Sequence, residues 1–375
     1  VVWRSLAVLA LGLAGCSDPV VLPRAVGFAE LPGWQADRVA QAMPAFRQGC
    51  AVLARMPAER ALGGDGLLAR RAGDFAAACA AASSLPADDE RAARDFLTTH
   101  FIPFALGEDT LTGYFEPELQ GSPTRTDILN TALHARPPEL FEADLGAFAP
   151  DLRGRRLAGV VREGRLHPFA DRAAIMAGAL DARGLELAWV DPVDAFFLHI
   201  QGSGRVAMPD GSVLRLGYAG QNGHPYYAVG RALVESGTLA REAVSMQAIR
   251  GWMAAAGAAE AAALMARNPS YVFFRVLPGL AAEQGPPGAL GAALTPGRSA
   301  AVDRTRTPLG APLWLAGRDP EGLPLQRLAV AQDTGGAIRG PARADLFTGW
   351  GVAAAAAAGR MRDSARLFVL LPPAR

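Results

Sequence analysis

The chain has 375 residues, half of them apolar, a formal net charge of +1, and 37 basic residues that are all arginine. That much apolar surface at this length favours two domains, or one carrying a large insertion, and excludes a disordered chain. Charges of both signs are scattered, so no basic stripe offers itself to nucleic acid, and the lack of lysine excludes Schiff-base catalysis and a phosphate-loop lysine.

In chain order, Arg4 precedes an apolar run over 6–13 that ends in small residues. This is the order of a secretory signal, and the run is too short to cross a bilayer. It closes on Leu13-Ala14-Gly15-Cys16, which resembles the lipobox of bacterial lipoproteins and makes Cys16 the expected site of lipidation. By the same resemblance Ser17 favours the outer membrane, and a first valine is compatible with a GTG start codon. A signal over 1–16 and a linker over 17–33 are expected. The two remaining thiols, Cys50 and Cys79, read as one disulfide closing a helical hairpin in an oxidising compartment, the alternative being two buried free thiols.

From residue 34 to about 100 the chain is alanine-rich with helical spacing, broken near Pro44, Pro57 and Pro86, and it predicts a helical segment over 34–110 packed on the rest. From Thr112 onward, short apolar runs separated by Gly, Pro and Asp give a β-rich texture. Helices are expected over 225–237, opened by Pro225 and stopped by Gly237, and over 241–267, ending before Asn268-Pro269. Strands are expected over 271–276, 312–316, 328–331 and 367–371. The Gly/Pro-rich stretch 283–291 marks a crossing between domains, and the alanine run 353–358 reads as helical or loop filler. The fold class is mainly β with helices, α+β.

The five histidines, His100, His134, His167, His199 and His224, occur singly, and no cysteine pair has metal spacing, so no metal centre or cofactor is expected. There is no G-x-S-x-G elbow for a serine nucleophile. Carboxylates remain. Asp303 lies in Val302-Asp303-Arg304-Thr305, Asp333 in Gln332-Asp333-Thr334-Gly335-Gly336, and Asp345 in Ala344-Asp345-Leu346-Phe347, each beside small residues at a strand edge. Flanking by Leu346 and Phe347, with a second carboxylate nearby, would disfavour the charge on Asp345 and raise its pKa, leaving it a proton to deliver. The alternative for each is a turn aspartate satisfied by backbone amides.

The trio resembles the three-aspartate domain of the membrane-bound lytic murein transglycosylase A family, a double-psi β-barrel. Upstream, Thr112-Gly113-Tyr114-Phe115-Glu116-Pro117 is similar to that family's opening motif. Gln201-Gly202-Ser203-Gly204, Asp210-Gly211 and Tyr218-Ala219-Gly220-Gln221-Asn222-Gly223-His224-Pro225-Tyr226 are similar to its inserted domain, and Asn268-Pro269-Ser270-Tyr271-Val272-Phe273-Phe274 to its return to the barrel. The resemblance implies an inserted β-rich domain over 111–267, whose first strand can belong to the barrel, and the three-aspartate barrel over 268–375.

It also implies a reaction: non-hydrolytic cleavage of the β-1,4 bond from N-acetylmuramic acid to N-acetylglucosamine in peptidoglycan, leaving 1,6-anhydro ends. The catalytic acid falls on Asp345, with Asp333 tuning or orienting it and Asp303 structural or supporting. One carboxylate can serve as acid and then base, because the nucleophile is the sugar's own C6 hydroxyl. Thr112, Tyr114, Gln201, Ser203, Asn222 and Tyr226 are the candidate sugar contacts. The implied setting is the periplasm, on the outer membrane through the lipid, with glycan strands as partner, no nucleic acid, and no cell-wall synthesis or division protein specified. Two rivals remain: a non-catalytic glycan-binding lipoprotein, and an aspartic protease suggested by Asp333-Thr334-Gly335, which lacks the second triplet that it would need outside a homodimer.

Overall fold

The structure, a computed structural model, describes residues 23–153 and 155–373, so the expected signal segment and Cys16 lie outside it. Three helices, Met43–Leu53, Ala76–Ser83 and Glu90–His100, form an N-terminal cap. Pro44 does not break the first of these but sits in its opening turn, where a missing N–H costs nothing. Asp89 caps the third, accepting from the Ala92 amide at 2.9 Å. Cys50 and Cys79 are joined across the first two helices. Phe46 meets Phe96 and Phe101 with ring centroids 5.8 and 5.7 Å away, and Trp34 meets Trp314 at 5.1 Å. Cap and barrel residues thereby belong to one apolar cluster, from Val26 to Leu371.

The strand Ile102–Glu116 starts within the segment expected to be helical; it is 15 residues long and opens the barrel. Around the barrel the order is Ile102–Glu116, Ala344–Trp350, Ser299–Val302, Pro324–Asp333, Pro312–Arg318 and Arg362–Leu371, and the last strand pairs back onto the first, closing six strands. Two neighbouring pairs are parallel, Ile102–Glu116 with Ala344–Trp350 and Ser299–Val302 with Pro324–Asp333; the other four are antiparallel. A short seventh strand, Arg24–Ala25, pairs with the first half of Ile102–Glu116, which Ala344–Trp350 leaves uncovered. The alanine run lies in the helix Gly351–Arg360, whose Ala358 packs so tightly against Gly113 that a Cβ there would approach it to 2.8 Å.

The second body is a six-stranded sheet ordered Val272–Val276, Val213–Gln221, Gly204–Ala207, Glu118–Ser122, Glu186–Val190 and Thr131–His134, flanked by a three-stranded sheet and by helices. Val272–Val276 was expected to return to the barrel; instead it pairs with Val213–Gln221, and the barrel resumes at Ser299–Val302. An apolar run does not say which sheet will accept it. The helix expected from Pro225 is Val229–Glu235, and the stretch 241–267 holds two helices, Met246–Ala256 and Ala258–Ala266, broken at Gly257 with φ +90°. The helix Pro192–Gln201 was missed, although Asp191 accepts from the amides of Val193 and Asp194 at its start and Gly202 ends it in the left-handed region.

Glu116, the last residue of the long strand, fastens the two bodies. Its carboxylate, 2% exposed, accepts from Arg205 at 3.1 Å and from Arg215 at 2.9 and 3.1 Å. The same guanidinium groups donate to the carbonyls of Ala282 and Gln284 in the returning segment, and Arg205 lies 3.8 Å from the Trp350 ring centre. In the insert core, Arg172 donates to the carbonyls of Asn268 and Ser270 and to His199 Nδ1, so the His199 ring proton sits on Nε2. Burial, then the charges of Arg172 and His134, push the His199 pKa well below 6.5.

Three outcomes follow from this packing. Replacing Cys50 and Cys79 by serine should lower unfolding stability by about 3 kcal/mol, the order for a loop of this length, as measured by denaturant titration. Glu116→Ala leaves two buried arginines without their carboxylate and should cost about 3–5 kcal/mol in the same assay. In the unfolded chain His199 takes up its proton near pH 6.5 while the folded chain resists it, so its stabilising contribution is complete above that pH and is lost as pH falls below it. The fall of melting temperature over that window should be shallower in His199→Gln.

Candidate active site

Strand register draws a row across the barrel wall. Asp333 lies opposite Ala301, Ala301 opposite Asp345, Asp345 opposite Thr112, and Thr112 opposite Arg362. Residues opposite one another point to the same face, so with strands about 4.8 Å apart the two aspartate backbones stand about 10 Å from each other. In the register the residue between them is Ala301, itself buried. The alternate row, Ala300, Leu346, Ala344 and Leu111, belongs to the main apolar cluster, which puts the aspartates on the outer wall.

That alternation corrects the surround expected for Asp345. Leu346 is its chain neighbour but points to the opposite face, and what meets the carboxyl group is polar. Oδ1 accepts from the Thr112 hydroxyl and from Arg343 Nη1. Arg343 Nη2 in turn donates to Thr112 Oγ1 at 2.8 Å, while Nη1 also reaches the carbonyls of Thr110 and Ala344. The Asp345 side chain is 21% exposed. Its Oδ2 has no hydrogen-bond partner among the described residues. Arg343 was missed in the sequence, where its place two residues before Asp345, the spacing that returns to one face of a strand, was the available signal.

Asp333 is occupied. Its Oδ1 accepts from the amides of Ala289 and Thr334, both at 2.9 Å, and its Oδ2 from the Tyr114 hydroxyl at 3.0 Å. Burial, with the negative charges of Asp333 and Asp345 and the hydrogen bond to Asp333, pushes the Tyr114 pKa well above 10, so the phenol stays a neutral donor. Its ring packs on Phe347 at 5.3 Å. Asp303 is also occupied: Oδ1 accepts from the Thr305 amide and hydroxyl, and Oδ2 from the Gly340 amide. Burial works to raise its pKa, but those bonds and Arg339 outweigh it and hold the carboxyl group below its usual value.

Of the six candidate sugar contacts, three have other employment. The hydroxyls of Thr112 and Tyr114 hold the two carboxyl groups. Asn222 is fully buried: its Nδ2 donates to the carbonyls of Ala170 and Pro269, and its Oδ1 accepts from the Tyr271 amide, so it pins the insert core out of reach of any ligand. Sequence position beside exposed neighbours gave no sign of this. Gln201 is exposed at the end of helix Pro192–Gln201, Ser203 follows one turn residue later, and Tyr226 is 57% exposed. The turn 201–204 meets the end of the barrel strand closely, for a Cβ on Gly204 would come within 2.9 Å of the Pro117 carbonyl. A cavity of about 690 Å³ opens elsewhere, lined by Leu53, Met56, Ala76 and the disulfide, and contains no carboxylate.

A family model described as the MltA specific insert domain matches residues 110–275, and another described as the 3D domain matches residues 298–371. A curated relative, membrane-bound lytic murein transglycosylase A of Vibrio cholerae, is 37% identical over 207 residues, a match covering 53% of this chain and 55% of that protein's length. The crystal structure of MltA from Neisseria gonorrhoeae superposes with a TM-score of 0.81 at 31% identity, covering 94% of this chain and 91% of that one. Escherichia coli MltA with bound chitohexaose gives 0.59 at 28% identity, covering 88% and 90%. With both family models in register with the two bodies and a solved relative matched over nearly its whole length, the chain belongs to the membrane-bound lytic murein transglycosylase A family.

Proposed function

We propose that this protein is a peptidoglycan lytic transglycosylase that breaks the β-1,4 bond between N-acetylmuramic acid and N-acetylglucosamine and leaves 1,6-anhydro ends. The observation that carries this reading is the contrast between the two aspartates: Asp345 offers a free Oδ2, whereas both oxygens of Asp333 are engaged. Hydrolysis needs an acid and a second free carboxylate, as base or nucleophile. Intramolecular closure needs one. Oδ2 of protonated Asp345 gives its proton to the bridging oxygen as the C1–O bond breaks; the C6 hydroxyl then attacks C1 and returns its proton to the same oxygen. The attacking group is already on the sugar, so orientation replaces the positioning of a water.

Asp333 and Tyr114 serve by fixing the wall beside the acid, and Gln201, Ser203 and Tyr226 are available to sugar hydroxyls and acetamides. Chitohexaose bound to the Escherichia coli relative supports a groove for β-1,4-linked N-acetylglucosamine sugars here. The parallel pairings at both aspartate-bearing strands support reading the barrel as the double-psi kind. Membrane-bound relatives support an envelope location, with Cys16 as lipid anchor to the outer membrane.

Incubated with purified sacculi, the protein lacking residues 1–16 should release muropeptides lighter by one water than hydrolysis products, read by mass spectrometry. Hydrated reducing ends alone would make it a hydrolase, and no release at all would favour the non-catalytic glycan-binding reading. Asp345→Asn should lower turnover by at least about a hundredfold while sparing glycan binding; near-normal turnover in that variant would falsify the assignment.

A further inference from the structure

The Asp345 carboxyl group is held from one side only. Thr112 and Arg343 both bind Oδ1, and Arg343 is itself fixed by Thr112 Oγ1 at 2.8 Å and by the carbonyl oxygens of Thr110 at 3.1 Å and Ala344 at 2.5 Å. A guanidinium tied at four acceptors, with its side chain 17% exposed, cannot swing away as a surface arginine does. The other charged or titratable groups on this face are Tyr114 from the long strand, Asp333 from Pro324–Asp333, and Arg362, which stands opposite Thr112 on Arg362–Leu371. Ser299–Val302 contributes only Ala301. Arg343 is the cation in hydrogen-bond contact with the carboxyl group.

We infer that Arg343 is the positioning residue for the acid: it fixes Asp345 through Oδ1 and reserves Oδ2 for the proton exchanged with the glycan. The inference rests on the transglycosylase reading above. A guanidinium against a carboxyl group favours its charged form. It therefore supports the interval after the proton has left Oδ2, when the carboxylate faces the positive charge growing at C1. Two donors on the one oxygen, themselves joined by the bond from Arg343 Nη2 to Thr112 Oγ1, hold Oδ1 in place, so that Oδ2 is the oxygen left to the glycan in both half-reactions.

The test is the kcat and KM of the protein on purified sacculi, for the parent, Arg343→Gln and Arg343→Lys, with chitohexaose binding followed in parallel. In Arg343→Gln kcat should fall about tenfold, with KM and binding unchanged. Arg343→Lys keeps a cationic donor for Oδ1 but loses the fork that spans Asp345 and Thr112, so it should recover only part of that loss. An unchanged kcat in Arg343→Gln, or a fall in kcat accompanied by an equal loss of binding, overturns the inference and leaves Arg343 as an anchor of the chain at 341–344. Failure of the parent reading looks different: no anhydro products from any variant, or full activity in Asp345→Asn.

Discussion

Glu116 stands where three lengths of chain meet, and the site depends on how its charge is used. It ends the strand that carries Thr112 and Tyr114; two arginines from neighbouring strands of the insert close on it; and those arginines hold the carbonyls of the segment that returns to the barrel. A carboxylate this deeply buried is stable only with its partners in place. The insert is therefore set against the barrel by charge geometry, not by a broad apolar contact, and the three apolar clusters of the insert remain separate from the one that the cap and barrel share.

This clamp sets how the insert stands against the barrel wall that carries the aspartates. Arg205 reaches from Glu116 to Trp350, at the end of the strand that begins beside Asp345, so the turn bearing Gln201 and Ser203 is brought against the same wall. The returning segment, caught by Arg205 and Arg215, then passes Asp333 and gives it the Ala289 amide. One fastening thus orients the insert beside that wall and also completes the hydrogen bonds of the second aspartate.

Within the wall, the division of labour between two similar residues comes from their neighbours. Asp333 receives two amides and a phenol, and its lone pairs are spent on holding structure. Asp345 receives a hydroxyl and a guanidinium on one oxygen and keeps the other open. Between them in the register stands Ala301, a buried residue without chemistry of its own.

The sequence by itself determined a good deal: a β-rich chain with a helical beginning, the position of most late strands, the pair Cys50 and Cys79, and the three aspartates as the residues to watch. These are local properties, carried by periodicity, turn residues and motif spacing. What only the tertiary structure decided depends on which strand lies beside which. That Val272–Val276 joins the insert sheet, that Leu346 faces away from Asp345, that Asn222 is buried and saturated, and that Arg343 and Thr112 close on one carboxyl oxygen are consequences of register between segments as much as 233 residues apart. A side chain's chemistry is written in its own position, but its surroundings are supplied by residues whose distance along the chain carries no local signal.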